Sequence, residues 1–277
     1  MQYTEVTFNM EPAEPWNDLL AADLGEIGFE SFVTSEEGLV AYIDSREFDE
    51  EKMKGVETLN LDHVKISISV KPYEVQNWNE KWESNFKPID VEGKCLVYAS
   101  FHNIEGDYDY RILIDPKMSF GTGHHATTYL ILREMLDEDF SGKKVLDMGS
   151  GTAVLAILAS MKGAAAVTAI DNNEWAFENA RENVEKNNIT NVEVLLGDET
   201  EIGSEKYNTI IANINKNIIL SHLPIYAEAL EPNGELFTSG FFEADATDIA
   251  EEAEKHGLKF IKKRSKDNWC VVHFQKA

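Results

Sequence analysis

Cysteine, long apolar runs and positive charge are all scarce in this sequence. The 277-residue chain has two cysteines, Cys95 and Cys270, which lie far apart and fit a reducing compartment rather than a disulfide framework. No run of about 20 apolar residues is present, so we expect no transmembrane helix. The N-terminal stretch MQYTEVTFNMEPAEP has neither a basic start nor an apolar core, so we expect no signal peptide. These absences predict a cytoplasmic protein without membrane contact.

The deficit of positive charge restricts the partners that the protein can bind. Lysine and arginine total 25 against 50 aspartates and glutamates, which gives a formal net charge of −25. Such a surface repels nucleic acid except at a local basic patch. The basic cluster Lys262-Lys263-Arg264 is predicted to be a solvated strand end, so we expect no direct nucleic-acid binding. The acidity favours a basic partner or serves solubility alone, and composition does not choose between them.

Residues 1–70 have the pattern of a small ferredoxin-like α+β domain. The stretch YTEVTFNM alternates apolar and polar residues as a half-buried strand does, and PWNDLLAADLGEIGF has helical spacing. Two short strands, an acidic helix and the alternating stretch HVKISISV follow. The order β-α-β-β-α-β is that of a ferredoxin-like unit, a fold that hosts many functions.

The remaining chain is predicted to contain a linker and an α/β domain. Residues 71–95 place Trp78, Trp82 and Phe86 at four-residue spacing, which indicates a linker helix region. In residues 96–277, from position 124 onwards, short buried strands alternate with helices. This pattern predicts a parallel sheet with helices on both faces, as in Rossmann-like folds.

The stretch VLDMGSGTAVLAI predicts a ligand-binding turn between a buried strand and a helix. Gly149 and Gly151 allow the backbone to approach a ligand at the helix N-terminus, and Ala153 is small where tight packing is needed. Asp171 ends the next strand, about twenty residues on, where a carboxylate can accept from both ribose hydroxyls. The spacing favours nucleoside binding over a glycine-rich turn that binds nothing.

The acidic residue before the glycines indicates which nucleoside-containing ligand is bound. Asp147 would oppose the pyrophosphate of a dinucleotide, but it suits the ammonium group of S-adenosyl-L-methionine, which has no phosphate. Asp147, Gly149, Gly151 and Asp171 together predict a class I methyltransferase domain. Asp198 ends the third strand, where such folds hold the adenine amino group, although it could equally be a turn residue.

Asn213 ends the fourth strand, in the sequence IIANINKN. It should emerge at the carboxyl edge of the sheet, where ligands of open α/β folds bind. There its amide could accept from a substrate amine and align the nitrogen lone pair with the transferred methyl group. The alternative is that Asn213 caps the helix that follows.

A second glycine-rich stretch, FGTGHHATT, precedes these motifs. It lacks the Gly-Lys-Ser/Thr ending of a phosphate loop, which disfavours a nucleoside triphosphate. His124 and His125 would point about 100° apart on a helix, so they would not share a metal ion. Without an HExxH pattern or a nearby cysteine, we expect no metal site. From the residues themselves, a flexible turn that caps a helix and a cover over some other ligand are equally supported.

Four blocks together resemble the ribosomal protein L11 methyltransferase family. They are DPKMSFGTGHHATT, VLDMGSGTAVLAI, the AID that ends at Asp171 and the ANI that contains Asn213. The resemblance covers residues 113–240, and the FGTG-x-H-x-TT block is specific to the family. The predicted order of domains is similar as well.

The resemblance implies how S-adenosyl-L-methionine is bound. Residues 119–128 would fold over the cofactor, with Phe120 and Thr122 lining the methyl site. Thr128 would contact the cofactor, and His125 is the histidine of the family pattern. The other implied cofactor contacts are Gly149, Asp171 and Asn213.

The resemblance also implies an activity. It is N-methylation of the α-amine and lysine ε-amines of a basic ribosomal protein, held by the N-terminal domain, with Asn213 and Phe120 as catalytic residues. We expect the enzyme to be a monomer. The alternatives are a methyltransferase of another protein or a small amine, and a non-catalytic adaptor that binds S-adenosyl-L-methionine.

Overall fold

The computed structural model describes residues 3–35, 37–61, 63–73, 86–115, 117 and 119–277. The chain divides into two compact units, residues 1–85 and residues 86–277. Residues 74–85 of the predicted linker region, which include Trp78 and Trp82, lie outside the described residues.

The first unit has the ferredoxin-like order that the sequence predicts. Its elements are β1 (Tyr3–Glu11), α1 (Trp16–Glu26), β2 (Ser31–Ser35), β3 (Gly38–Asp44), α2 (Glu50–Lys54) and β4 (Lys65–Tyr73). The antiparallel sheet has the order β2-β3-β1-β4. Alternate residues of β1, among them Val6 and Phe8, are fully buried against Leu20 and Leu24 of α1. One apolar face of β1 therefore fixes which side of the sheet the helices cover.

A small three-stranded sheet lies at the start of the second unit, and the sequence predicts only part of it. Its strands are β5 (Ile89–Val91), β6 (Cys95–Tyr98) and β7 (Tyr110–Leu113). The sequence indicates β6 and β7, but β5 has three residues and follows Pro88, so it is too short for a periodic signal. Strand β7 runs in parallel with β6 and delivers the chain to Asp115, just before the FGTGHHATT stretch.

A seven-stranded sheet forms the centre of the second unit. Its strands are β8 (Lys144–Met148), β9 (Ala166–Asp171), β10 (Val192–Leu196), β11 (Tyr207–Asn213), β12 (Leu230–Phe242), β13 (Leu258–Lys266) and β14 (Trp269–Lys276). They lie in the order β10-β9-β8-β11-β12-β14-β13. Strand β8 thus has β9 on one side and β11 on the other. The strands that follow β8 are therefore added first on one side of it and then on the other. Ligands bind at such a switch point in open α/β sheets.

The predicted parallel sheet has one antiparallel edge. Strand β14 runs antiparallel to both β12 and β13. The physical reason is the two-residue connection Asp267-Asn268, in which both residues have positive φ, 53° and 66°. Two consecutive residues of this kind make a tight hairpin, which can join only antiparallel strands.

Five helices cover the two faces of this sheet. They are α3 (Ala126–Asp137), α4 (Val154–Met161), α5 (Glu174–Lys186), α6 (Lys216–Ala229) and α7 (Ala246–Lys255). Neighbouring strand residues alternate between two cores, since Val145 packs with α3, α4 and α5 whereas Leu146 packs with α6 and α7. This is the double-sided burial predicted from the apolar strands. No helix of the described residues is long and apolar enough to cross a membrane.

The basic cluster on β13 is exposed at Lys263 and Arg264, as predicted for a solvated strand end, but two of its side chains also contact a buried carboxylate. The Nζ atom of Lys262 lies 2.7 Å from Oε2 of Glu134, whose side chain is 1% exposed, and Arg264 contacts the other oxygen of the same carboxylate. A buried carboxylate needs such compensation. The contact arises because α3 brings Glu134 over β13, which the local sequence pattern does not reveal.

Candidate active site at the carboxyl edge of the sheet

The glycine turn between β8 and α4 requires both of its glycines. Gly149 and Gly151 have φ of +72° and +56°, in the left-handed region that favours glycine. A Cβ atom on Gly149 would collide with the side chain of Ile214, and one on Gly151 would collide with the carbonyl oxygen of Phe120. The turn is therefore enclosed by the chain that follows β11 and by the FGTGHHATT stretch.

Ala153 closes the turn with an unusual backbone conformation. It is fully buried, as a packing position should be, but its φ is +63°. An L-residue in this region costs about 1–2 kcal/mol relative to a right-handed conformation. The alanine thus fills a tight space and carries local strain beside the candidate site.

Asp171 contacts the glycine turn directly. Its Oδ2 accepts a hydrogen bond from the Gly151 N–H at 2.8 Å, and its Oδ1 accepts from the Asn173 N–H at 3.0 Å. Each carboxylate oxygen can accept a second bond. Asp171 can therefore hold the turn and receive ligand hydroxyls at the same time.

Asp147 does not face open space, contrary to the expectation that it meets a ligand ammonium. The residue is 0% exposed, and its Oδ2 accepts from the Ala156 N–H in the first turn of α4 at 3.1 Å. Burial, with a smaller contribution from the charge of Asp171, raises the pKa of the Asp147 carboxyl to about 7. In this structure Asp147 anchors the helix that follows the glycine turn.

Asn213 and Thr128 connect β11 to α3. The Nδ2 of Asn213 donates to the Oγ1 of Thr128 at 3.2 Å, while its Oδ1 is buried without a hydrogen-bond partner among the described residues. The helix α6 is capped by Asn215, whose Oδ1 accepts from the Ile218 N–H at 3.1 Å. The capping alternative for Asn213 is thereby removed, and its carbonyl oxygen is a free acceptor.

The FGTG part of the second glycine-rich stretch lies on the glycine turn. The Thr152 N–H donates to the Phe120 carbonyl at 2.9 Å, and the Thr152 hydroxyl donates to the Gly121 carbonyl at 2.6 Å. The side chain of Phe120 is nevertheless 54% exposed. The backbone is thus fixed on the turn while the aromatic ring remains available to a ligand.

The two histidines have different surroundings and both precede α3. His125 is the N-cap, with its Nδ1 accepting from the Thr127 N–H at 3.3 Å. His124 instead lies beside Thr122, at 3.1 Å between Nδ1 and Oγ1, with its ring centroid 4.2 Å from that of Phe86. Neither histidine lies within the helix, which begins at Ala126. In the part of the chain that the structure describes, no group of three or more His, Cys, Asp or Glu is suited to a metal ion.

Aromatic residues that sequence reasoning missed extend the site. The ring of His125 lies 5.2 Å from that of Phe120 and 4.6 Å from that of Trp269, and Trp269 lies 4.2 Å from Phe242. Phe242 ends β12 and Trp269 begins the antiparallel β14, so both reach the carboxyl edge. Aromatic residues at strand ends are the signal that could have found them.

Asp198 follows β10 at the same edge and caps a short 3-10 helix, Glu199–Ile202. Its Oδ1 accepts from the hydroxyl and the N–H of Thr200 at 2.6 and 3.0 Å, and these bonds lower the pKa of its carboxyl. The preceding Gly197 N–H donates to the Asp171 carbonyl at 3.0 Å. Asp198 therefore caps this turn through its Oδ1 and lies beside the end of β9, and the cap leaves its second carboxylate oxygen for a ligand.

Comparison with known proteins identifies the family. The sequence profile of the family "Ribosomal protein L11 methyltransferase (PrmA)" matches residues 20–277. The chain belongs to the ribosomal protein L11 methyltransferase family. It is 48% identical to the ribosomal protein L11 methyltransferase of Phocaeicola vulgatus over 278 residues, 99% of each chain. It is 46% identical to that of Bacteroides fragilis, again over 99% of each chain.

Solved structures support the fold of this family member. A ribosomal protein L11 methylase from Lactobacillus delbrueckii subsp. bulgaricus aligns with a TM-score of 0.65 and 22% identity, over 69% of this chain and 100% of that one. A methyltransferase from Pyrococcus furiosus aligns with a TM-score of 0.52 and 20% identity, over 60% of this chain and 89% of that one. The second unit therefore has the class I methyltransferase fold that its glycine turn predicts.

Proposed function

We propose that this protein is an S-adenosyl-L-methionine-dependent N-methyltransferase that acts on ribosomal protein L11. Membership of the family, with nearly full-length relatives that carry this name, supports the reaction and the substrate. The structural observation that carries the proposal is the buried Oδ1 of Asn213, which has no hydrogen-bond partner among the described residues and lies at the switch point of the sheet. Such an atom needs a donor, and a substrate amine is one.

The residues at the sheet edge fit S-adenosyl-L-methionine. The glycine turn offers backbone without side chains, and Asp171 keeps lone pairs for the ribose hydroxyls. The turn contains no lysine or arginine that would indicate a phosphate. The remaining cofactor contacts that we propose are Thr122, His125, Thr128, Asp198 and Asn213. When bound, the cofactor supplies an electrophilic methyl group on a sulfonium.

The side chains near the proposed methyl site suit an uncharged amine. A free α-amine, with a pKa of about 7.7–8.0, is partly neutral at physiological pH, whereas a lysine ε-amine at about 10.4 needs help to lose its proton. Asn213 accepts from an N–H without the negative charge that would stabilise an ammonium. Phe120 covers the site with an apolar ring. These two residues hold and desolvate the amine, so most of the rate would come from alignment.

We propose that one unit binds the cofactor and the other binds the protein substrate. The second unit, residues 86–277, would bind the cofactor, while the first unit, residues 1–85, would hold L11. The net charge of −25 suits a basic substrate and opposes nucleic acid. We expect a monomer that acts in the cytoplasm. If a protein that lacks residues 1–85 methylated L11 at the full-length rate, the role of the first unit would be wrong.

Transfer of labelled methyl groups tests the proposal against its alternatives. The purified protein is incubated with methyl-labelled S-adenosyl-L-methionine and either purified L11, other ribosomal proteins or small amines. We expect label on L11 alone. Binding of the cofactor without transfer would identify an adaptor, and label only on another acceptor would identify a different methyltransferase.

A further inference from the structure

A row of asparagines on α5 and at its C-cap holds the chain that leads from β7 to the candidate site. Asn179, Asn183 and Asn187 follow one another at four-residue spacing and so share a face of the helix. Asn187 pairs with both backbone groups of Leu113, accepting from its N–H at 2.9 Å and donating to its carbonyl at 2.7 Å. Asn179 donates to the Asp115 carbonyl at 3.3 Å. The helix thus pairs with an extended segment through side-chain amides.

Asn183 differs from its neighbours because it also reaches the glycine turn. Its Oδ1 accepts from the Asp115 N–H at 3.2 Å, and its Nδ2 donates to the Thr152 carbonyl at 3.1 Å. Thr152 in turn holds the backbone of Phe120 and Gly121 through its N–H and its hydroxyl. The side-chain amide of Asn183 therefore connects Asp115, which precedes the FGTGHHATT stretch, with Thr152, which bonds the backbone of that stretch.

The surroundings of Asn183 make this pair of bonds hard to replace. The residue is 0% exposed, so bulk water does not compete for either bond, and loss of the side chain removes the partners of two backbone groups. An aspartate of the same shape could accept from Asp115 but could not donate to Thr152. Both halves of an amide are needed.

We propose that Asn183 is a positioning residue for methyl transfer, an inference that rests on the proposed function. By fixing Thr152 relative to Asp115, it sets where the backbone of Phe120 and Gly121 lies on the glycine turn. The ring of Phe120 and the cofactor contacts of the turn are placed by the same pair of bonds. Asn183 itself need not touch the cofactor or the substrate.

The test compares Asn183→Ala with Asn187→Ala in the full-length protein. Asn187 lies on the same face of α5 and also bonds the chain after β7, but it makes no bond to the glycine turn. Asn183→Asp is a third variant, which keeps the acceptor for Asp115 and loses the donor to Thr152. Hydrogen exchange of the Thr152 amide is measured without ligand, and steady-state kinetics are measured with L11.

We expect the Thr152 amide to exchange about tenfold faster in Asn183→Ala and Asn183→Asp than in Asn187→Ala, because a buried hydrogen bond of the turn is lost. The KM for S-adenosyl-L-methionine should rise and kcat should fall, each about tenfold. In Asn187→Ala both constants should stay within about twofold, since only the approach chain is loosened. If Asn183→Ala does not fold, the aspartate variant supplies the comparison.

Equal Thr152 exchange and equal kinetic constants in the Asn183 and Asn187 variants would overturn the proposal and leave Asn183 a purely structural residue. The exchange experiment needs no catalysis. A wild-type protein that transfers no methyl group would overturn the proposed function instead, whatever the exchange rates are.

Discussion

Asn213 donates to Thr128 across the gap between β11 and α3 and leaves its own carbonyl oxygen buried without a partner among the described residues. Thr128 thereby fixes the orientation of the amide, with Nδ2 towards the helix. The free Oδ1 is the acceptor that the proposed reaction requires for an amine N–H.

Removal of this acceptor should reduce turnover. We expect Asn213→Ala to lower kcat/KM for L11 by about 100-fold, because the amine loses its alignment. Asn215→Ala is the matched control, since it removes the cap of α6 and should cost only about 1 kcal/mol of stability. Steady-state assays and thermal melts of both variants check this. Similar kinetic losses in the two would show that Asn213 has no special role.

Loss of the Asp171 carboxylate should weaken the cofactor complex. Asp171→Ala removes the proposed ribose contacts and the bond from the Gly151 N–H, so S-adenosyl-L-methionine should bind about 1.5–3 kcal/mol more weakly. Asn173→Ala, which removes the N-cap of α5, serves as the control and should leave binding unchanged. Calorimetry measures both affinities. Unchanged affinity in folded Asp171→Ala would remove Asp171 from the site.

The contact between the glycine turn and Phe120 can be tested with two glycines of similar conformation. Gly142 has φ of +70° and open space around it, so Gly142→Ala should cost about 1–2 kcal/mol of backbone strain and leave cofactor binding intact. Gly151→Ala adds a collision with the Phe120 carbonyl. We expect Gly151→Ala to be less stable than Gly142→Ala in urea unfolding. Its affinity for the cofactor should be at least about tenfold lower than that of the wild type. Equal effects would mean that the turn and Phe120 are not in firm contact.

Asp147 should make stability depend on pH. Its pKa is about 7 in the folded protein, against 3.8 for an ordinary aspartate, so folding favours the protonated form. The stability that this proton provides is fully present below pH 3.8 and is lost as pH rises through 7. Asp147→Asn keeps an acceptor for the Ala156 N–H and stays neutral.

We therefore expect Asp147→Asn to unfold at a higher urea concentration than the wild type near pH 8. Its free energy of unfolding should be larger by up to about 4 kcal/mol. The advantage should shrink towards pH 5, where the wild-type carboxyl is protonated in the folded state. Urea titrations at the two pH values measure this. A stability difference that does not change with pH would mean that Asp147 is ionised in the folded protein.

The parts of this site that the sequence predicts are those encoded by one local pattern. Gly149, Gly151, Asp171 and Asn213 each stand at the end of a strand or in the turn after it, and parallel strands bring these ends to one edge. The ferredoxin-like order of the first unit follows in the same way from alternation and helical spacing.

Contacts between distant segments could not be predicted. The apolar run of β8 does not reveal that Asp147 points beneath α4, and the position of Trp269 at a strand end does not reveal that it meets His125. The link from Asn183 to Thr152 likewise depends on how α5 packs, not on any spacing within it. These side chains are placed by tertiary packing, which a single sequence does not display.

The measurement that tests the central claim most directly is the mass of purified ribosomal protein L11 after incubation with this enzyme and S-adenosyl-L-methionine. We expect increments of one methylene group per transfer, located by fragmentation on the α-amine and on lysine side chains. Asn213→Ala should give the same sites at a much lower rate. L11 of unchanged mass, under conditions in which the protein binds the cofactor, would contradict the account.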